Sequence, residues 1–243
     1  LNEAAKSYQS ALIIKPEYAE THNNLGVVLK ELGQLQEAIA SYHKAIQIKP
    51  DYAEAYNNLG NALKELGNLD EAVENYRKAS IIKPKFAEAY SNLGVALQGL
   101  GKLEEAVACY HKAIQIKPDY VQAHYNLGNT FKNMGQFDEA VTSYQKAVAI
   151  NPGYAEAHNN LGTALIEQGK PAEGAVSYQK ALAIKPNYAA AHRNFGNALR
   201  EQGNLNEAAK SYQSALIIKP EYAETHNNLG VVLKELGQLQ EAI

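Results

Sequence analysis

Apolar and polar positions along this chain follow a helical period, and the helical segments themselves recur every 34 residues, as from Leu59 to Leu93. In the stretch 53–86, Ala55, Tyr56, Leu59, Gly60, Ala62, Leu63 and Leu66 fall on one stripe at i, i+3, i+4 and i+7. A second stripe follows, carried by Leu69, Ala72, Val73, Tyr76, Ala79 and Ile82. Gly67 separates the two as a C-terminal glycine, and Pro84, which cannot continue a helix, closes the second. The pattern predicts a pair of amphipathic helices joined by a turn too short for anything but an antiparallel arrangement.

The same letters return one period later as Gly94, Leu97, Gly101, Ala106, Tyr110, Ala113 and Pro118. Complete units run 19–52, 53–86, 87–120, 121–154, 155–188 and 189–222, with a half unit at 1–18 and a partial one at 223–243. Gly60, Ala72 and Ala79 are small where two helix axes must approach, and Tyr76 fills the space they leave. A unit of this size buries its apolar stripe only against its neighbours, so an all-α solenoid follows, one elongated domain over 1–243. Residues 1–39 are identical to residues 205–243, and the chain opens in mid-unit without Met. Both observations suggest a window on a longer array. Its two ends would expose complementary apolar surfaces, which makes head-to-tail self-association an expectation.

The fixed positions Leu59, Gly60, Leu63, Gly67, Ala72, Tyr76, Ala79 and Pro84, at these spacings, resemble the tetratricopeptide repeat over the whole chain. The resemblance implies a right-handed superhelix of antiparallel helix pairs that serves as a protein-interaction scaffold.

Charge narrows the partners. A net charge of -3 and a pI near 6.2 supply no basic field for nucleic acid or anionic lipid, and no apolar run is long enough to span a bilayer. A helical-repeat RNA reader would need a repeated cation pattern that is missing here. Cys109 is the only cysteine, so no internal disulfide can form, and a cytoplasmic setting fits. No nucleophile–base set, phosphate loop or metal-ligand spacing stands out from the repeat, so neither catalysis nor a cofactor is expected within the chain.

Several columns of titratable residues have structural explanations. Glu37, Glu71, Glu105, Glu139, Glu173, Glu207 and Glu241 fall in the first turn of the second helix, at the positive end of its dipole. Lys49, Lys83, Lys117, Lys185 and Lys219 are placed by the same argument in its last turn. His22, His124, His158, His192 and His226 share a slot with Tyr56 and Tyr90 and read as packing residues with a polar tip. Pro171 and Gly174 replace a Leu and an Ala, and Gly99 loosens the end of a first helix, so bending or fraying is expected first near 165–178.

The candidate chemistry lies on the polar face of the first helix, which in 53–86 carries Glu54, Asn57, Asn58, Asn61 and Lys64. One member is invariant among the units: Asn24, Asn58, Asn92, Asn126, Asn160, Asn194 and Asn228. Stacked repeats would align these amides into a ladder, and a carboxamide both donates and accepts, so it can pair with a peptide backbone whatever its side chains. Asn61, Asn129 and Asn197, with the milder basic column of Lys64, Lys132 and Arg200, complete the candidate peptide-binding set. The cadence N-L-G-x-A-L-K-E-x-G resembles the repeat arm of O-linked N-acetylglucosamine transferases, which implies an asparagine ladder holding a substrate backbone and, as an alternative function, recruitment for a catalytic domain outside this chain. A carboxylate clamp of the chaperone-adaptor kind would want a cation before the ladder residue, and only Arg193, with Asn197 and Asn228, comes close.

Overall fold

A computed structural model describes residues 1–237 of the chain. These residues form fourteen α-helices and no strand. After α1 (Asn2–Ile14) come first helices α2 (Ala19–Glu31), α4 (Ala53–Glu65), α6 (Ala87–Gly99), α8 (Val121–Asn133), α10 (Ala155–Glu167), α12 (Ala189–Glu201) and α14 (Ala223–Glu235). They alternate with second helices α3 (Leu35–Ile48), α5 (Leu69–Ile82), α7 (Leu103–Ile116), α9 (Phe137–Ile150), α11 (Pro171–Ile184) and α13 (Leu205–Ile218). Two compact units divide within α8, one of residues 1–123 and one from His124 onward.

The turns obey the local rules the sequence announces. Gly67 takes φ 85°, its N–H donates to the Lys64 carbonyl at 3.0 Å, and the Asn68 N–H reaches the Leu63 carbonyl at 2.9 Å. This is the Schellman arrangement, which satisfies two carbonyls the helix end would otherwise orphan. At the other connection, Lys83 is extended (φ -125°, ψ 84°) because the Pro84 ring behind it excludes helical geometry.

Within each helix pair the contact is glycine against tyrosine. A Cβ placed on Gly60 would lie 2.7 Å from the Tyr76 ring, and Gly26, Gly94, Gly128, Gly162 and Gly196 meet Tyr42, Tyr110, Tyr144, Tyr178 and Tyr212 just as closely. Ala72 and Ala79 beside Tyr76 are fully buried. In each unit, first helices of successive repeats touch (α2 with α4, α4 with α6; α10 with α12, α12 with α14). Second helices touch only first helices among the described residues, so the first helices form the inner layer of each unit.

Two sequence readings change. The lysine column sits one residue beyond the second helix, not in its last turn. From there each ammonium lies over the ring three residues on: Lys49 over Tyr52 at 5.0 Å, Lys83 over Phe86 at 4.7 Å, Lys117 over Tyr120 at 5.1 Å, Lys185 over Tyr188 at 5.0 Å and Lys219 over Tyr222 at 4.8 Å. Contact with these rings is common to the column, and Lys83 and Lys185 add ion pairs with Glu54 and Glu156. Gly174, read as a source of looseness, is buried against Ile166: an added Cβ would meet the Ile166 Cδ1 at 2.9 Å and the Gly162 carbonyl at 2.9 Å. The isoleucine occupies the volume that alanine fills in other repeats.

The acidic column keeps its place, with Glu37, Glu71, Glu105, Glu139, Glu173 and Glu207 in first turns; Glu241 lies outside the described residues. The histidine tips are engaged as packing residues require, since the Nε2 atoms of His22, His158, His192 and His226 lie 2.8–3.0 Å from the carbonyls of Pro16, Pro152, Pro186 and Pro220.

Candidate binding face of the first helices

The ladder asparagines are tied to the repeat before them. In the first unit Asn58 donates its Nδ2 to Asn23 Oδ1 and Asn92 donates to Asn57 Oδ1, each at 3.0 Å. In the second, Asn194 donates to Asn159 Oδ1 at 3.1 Å, Asn160 donates to Tyr125 Oη (3.1 Å) and Asn129 Oδ1 (2.9 Å), and Asn228 donates to Asn197 Oδ1 at 3.0 Å. The spacing of 35 residues in four of these pairs means that each donor reaches the residue just ahead of its own counterpart.

Asn23, Asn57 and Asn159 share the slot of the polar face that Asn57 marks in 53–86. They are 6%, 7% and 6% exposed, wedged between repeats as acceptors. Their signal was present in the letters, because Asn recurs immediately before the ladder position; what the letters lacked was the lateral offset between stacked helices that brings the two slots together. Asn126 is buried, Asn24 exposed, and the remaining ladder residues are half-buried.

Asn61, Asn129 and Asn197 have a second duty. Their Oδ1 atoms accept the hydroxyls of Tyr76, Tyr144 and Tyr212 at 2.8, 2.7 and 2.8 Å. Burial pushes the pKa of those tyrosines up, so the phenol stays a donor at any ordinary pH. In the second unit the Oδ1 of Asn129 therefore receives both a tyrosine hydroxyl and a ladder amide, and that of Asn197 does the same. The basic column is only partly available: Lys30 pairs with Glu65 at 3.6 Å, while burial pulls the ammonium pKa of Lys64 and Lys132 down. Arg200 is half-buried.

What remains open on this face is directional. With Nδ2 committed to the neighbouring repeat, the Oδ1 atoms of Asn58, Asn92 and Asn228 are left as acceptors, suited to a backbone N–H. The carbonyl of Asn160 already accepts from Asn159 Nδ2 at 3.1 Å, and that of Asn194 takes a longer approach from the Arg193 guanidinium at 3.4 Å. Arg193, the residue nearest to a clamp pattern, pairs with Glu224 at 2.8 Å and lies 4.9 Å over the Tyr222 ring.

In the second unit a recess of about 420 Å³ opens on this face among Lys132, Thr163, Ile166, Ala190, Arg193 and Asn197. Three departures from the repeat shape it. Thr163 stands where other repeats carry asparagine or valine, Ile166 replaces a lysine, and Ala190 the glutamate that elsewhere pairs with the cap lysine, as Glu54 does with Lys83 at 2.6 Å and Glu156 with Lys185 at 2.9 Å. Among the described residues no cluster of three His, Cys, Asp or Glu could hold a metal ion, and no helix is long and apolar enough to cross a membrane.

A family model described as TPR repeat matches residues 1–33, 28–67, 60–101, 99–135, 133–169 and 196–237, and two described as tetratricopeptide repeat match 155–188 and 177–210. No curated protein matches the chain significantly. Among solved structures, YrrB, a TPR protein with an unusual peptide-binding site, aligns at TM-score 0.63 and 24% identity over 77% of this chain and 96% of its own. MamA aligns at 0.63 and 27% over 70% and 92%, and pilF of Pseudomonas aeruginosa at 0.76 and 19% over 86% and 95%.

Proposed function

The chain belongs to the tetratricopeptide repeat family, and from that premise we propose that it is a protein-interaction scaffold whose first helices hold an extended polypeptide along the asparagine ladder. The observation that carries this reading is the free side of the amides. The Nδ2 atoms of Asn58, Asn92 and Asn228 are spent on stacking repeats, while their carbonyls stay available at the same register. An extended chain presents N–H groups at a regular rise whatever its sequence, which suits such a row of acceptors. YrrB, of the same fold, is a precedent for peptide binding by the architecture, though not for these residues.

The chain acts by binding rather than catalysis, in an intracellular setting in keeping with its single Cys109. The cadence N-L-G-x-A-L-K-E-x-G favours a second reading, in which the same face recruits substrates for a glycosyltransferase domain outside this chain.

The test is binding of a library of extended peptides to the protein and to two variants of equal helicity. Asn58→Ala with Asn92→Ala removes the outward carbonyls, whereas Asn23→Ala with Asn57→Ala removes only the inter-repeat acceptors. Loss in the first and retention in the second is the expected result; equal effects would make the ladder a stacking device and move the binding surface elsewhere.

A further inference from the structure

The outer side of the second unit carries a feature that the repeat pattern does not ask for. A cleft of about 670 Å³ lies between α9 and α11, floored by Leu161 and Leu165 of α10 and walled by Val148, Val176 and Ile184. Its lining is small at one slot in two consecutive repeats: Ala149 and Ala183 stand where the other complete repeats carry Gln47, Ile81, Gln115 and Ile217. Beside it, Val176 occupies a slot that holds Ala40, Glu74, Ala108, Thr142 or Lys210 elsewhere. Val176 is 50% exposed and Ile184 39%. An apolar cleft with a β-branched residue standing at its lip is a surface shaped for association, where a lone exposed side chain would need no explanation.

The charges at its edge say what fits. Glu173 and Lys180 both line the cleft from α11, two turns apart and so on one face, about 10 Å along the axis. Neither takes part in an ion pair among the described residues. They are placed symmetrically about the midpoint between Val176 and Ser177. A helix with that charge order is complementary to itself run backwards. An antiparallel copy sets Glu173 against Lys180 at both ends and brings the two valines together at the centre, whereas a parallel copy meets repulsion at both ends and a helix of uniform charge at one.

We propose that α11 and the lip of the α9–α11 cleft form a two-fold self-association surface, in which the two α11 helices pair antiparallel and their Val176 side chains pack against each other over the cleft mouths. The contact is one helix pair wide, at the small end of specific interfaces, so the dimer is weak and forms in the upper micromolar range.

Sedimentation equilibrium of the full chain, from low micromolar to several hundred micromolar, tests the proposal. The expected result is a monomer–dimer equilibrium that Val176→Glu weakens at least tenfold. That substitution restores the residue of the 53–86 repeat, so it keeps the helix intact and the test decisive. Glu173→Lys and Lys180→Glu should each fail to dimerise alone yet associate when mixed, because the heterodimer regains both opposite-charge pairs. A monomer at every concentration overturns the proposal. So does association indifferent to Val176→Glu, as contact through the chain ends would be, or a mixture of folded charge variants no better than either alone.

Discussion

The Tyr76 hydroxyl donates to Asn61 Oδ1 at 2.8 Å, while Tyr42, its counterpart one repeat earlier, is buried with an unpartnered hydroxyl because Val27 holds the slot of Asn61. Two tyrosines with the same packing therefore differ in one hydrogen bond. Tyr76→Phe should cost about 1 kcal/mol and leave an asparagine acceptor short, whereas Tyr42→Phe should be neutral or stabilising. Val27→Asn should stabilise only when Tyr42 is present. Urea denaturation of the four proteins decides; equal losses in both phenylalanine variants would show that the hydroxyl bond does not discriminate them.

Gly174→Ala sets helix propensity against packing. Propensity alone promises about 1 kcal/mol of stabilisation, but the new methyl would lie 2.9 Å from Ile166 Cδ1 and from the Gly162 carbonyl oxygen. Packing wins, and the variant should lose about 1–3 kcal/mol. Combining it with Ile166→Lys, which recreates the Lys64/Ala72 pair of the 53–86 repeat, should recover most of that loss. A Gly174→Ala protein with a raised melting temperature would refute this.

His158 gives the fold an acid-sensitive position. Burial holds its pKa below the ordinary value of 6.5, with Lys180 adding repulsion, against the opposing effect of the Pro152 carbonyl. Because the unfolded chain takes up the proton first, stability from this site is complete above about pH 6.5 and falls as pH drops from there through the folded-state pKa. His158→Tyr, the residue type of the equivalent Tyr56 and Tyr90, should flatten that limb of the stability–pH curve. An unchanged slope would remove His158 from the account.

Lys83→Ala removes an ion pair with Glu54 and the contact with the Phe86 ring. Both groups of the pair are half exposed, so the total loss at neutral pH should be only about 0.5–1 kcal/mol. The Lys83 hydrogen bond is the main cause that lowers the Glu54 pKa, so the ion-pair share is present above the ordinary carboxylate range and disappears as pH falls through the folded-state value. Denaturation at neutral and strongly acidic pH separates the two shares; a loss wholly abolished by acid would assign everything to the ion pair.

The helix pairs, the Gly–Tyr contact and the Gly67 turn were legible because each is written within a single repeat. Lys83 misled because its charge suggested the helix dipole, while the Phe86 ring that holds it lies three residues downstream in the turn. Gly174 misled because its partner, Ile166, is a departure on a different helix, and a sequence shows two departures without showing that they touch. The recurring asparagine was legible as a column, but its bond to Asn23 and Asn57 depends on how far one repeat is rotated and shifted against the next, a quantity set by packing rather than by any one residue type.

At Gly67 and Gly169 the backbone lies in the left-handed region, yet nothing stands within 4 Å of an added Cβ. Alanine there meets no neighbour; its penalty is torsional, confined to one residue and nearly the same at every turn. Such a substitution is a calibrated weight that can be hung at successive points along the chain. Unequal responses to equal weights would then report how far each repeat's stability is underwritten by the repeats beside it.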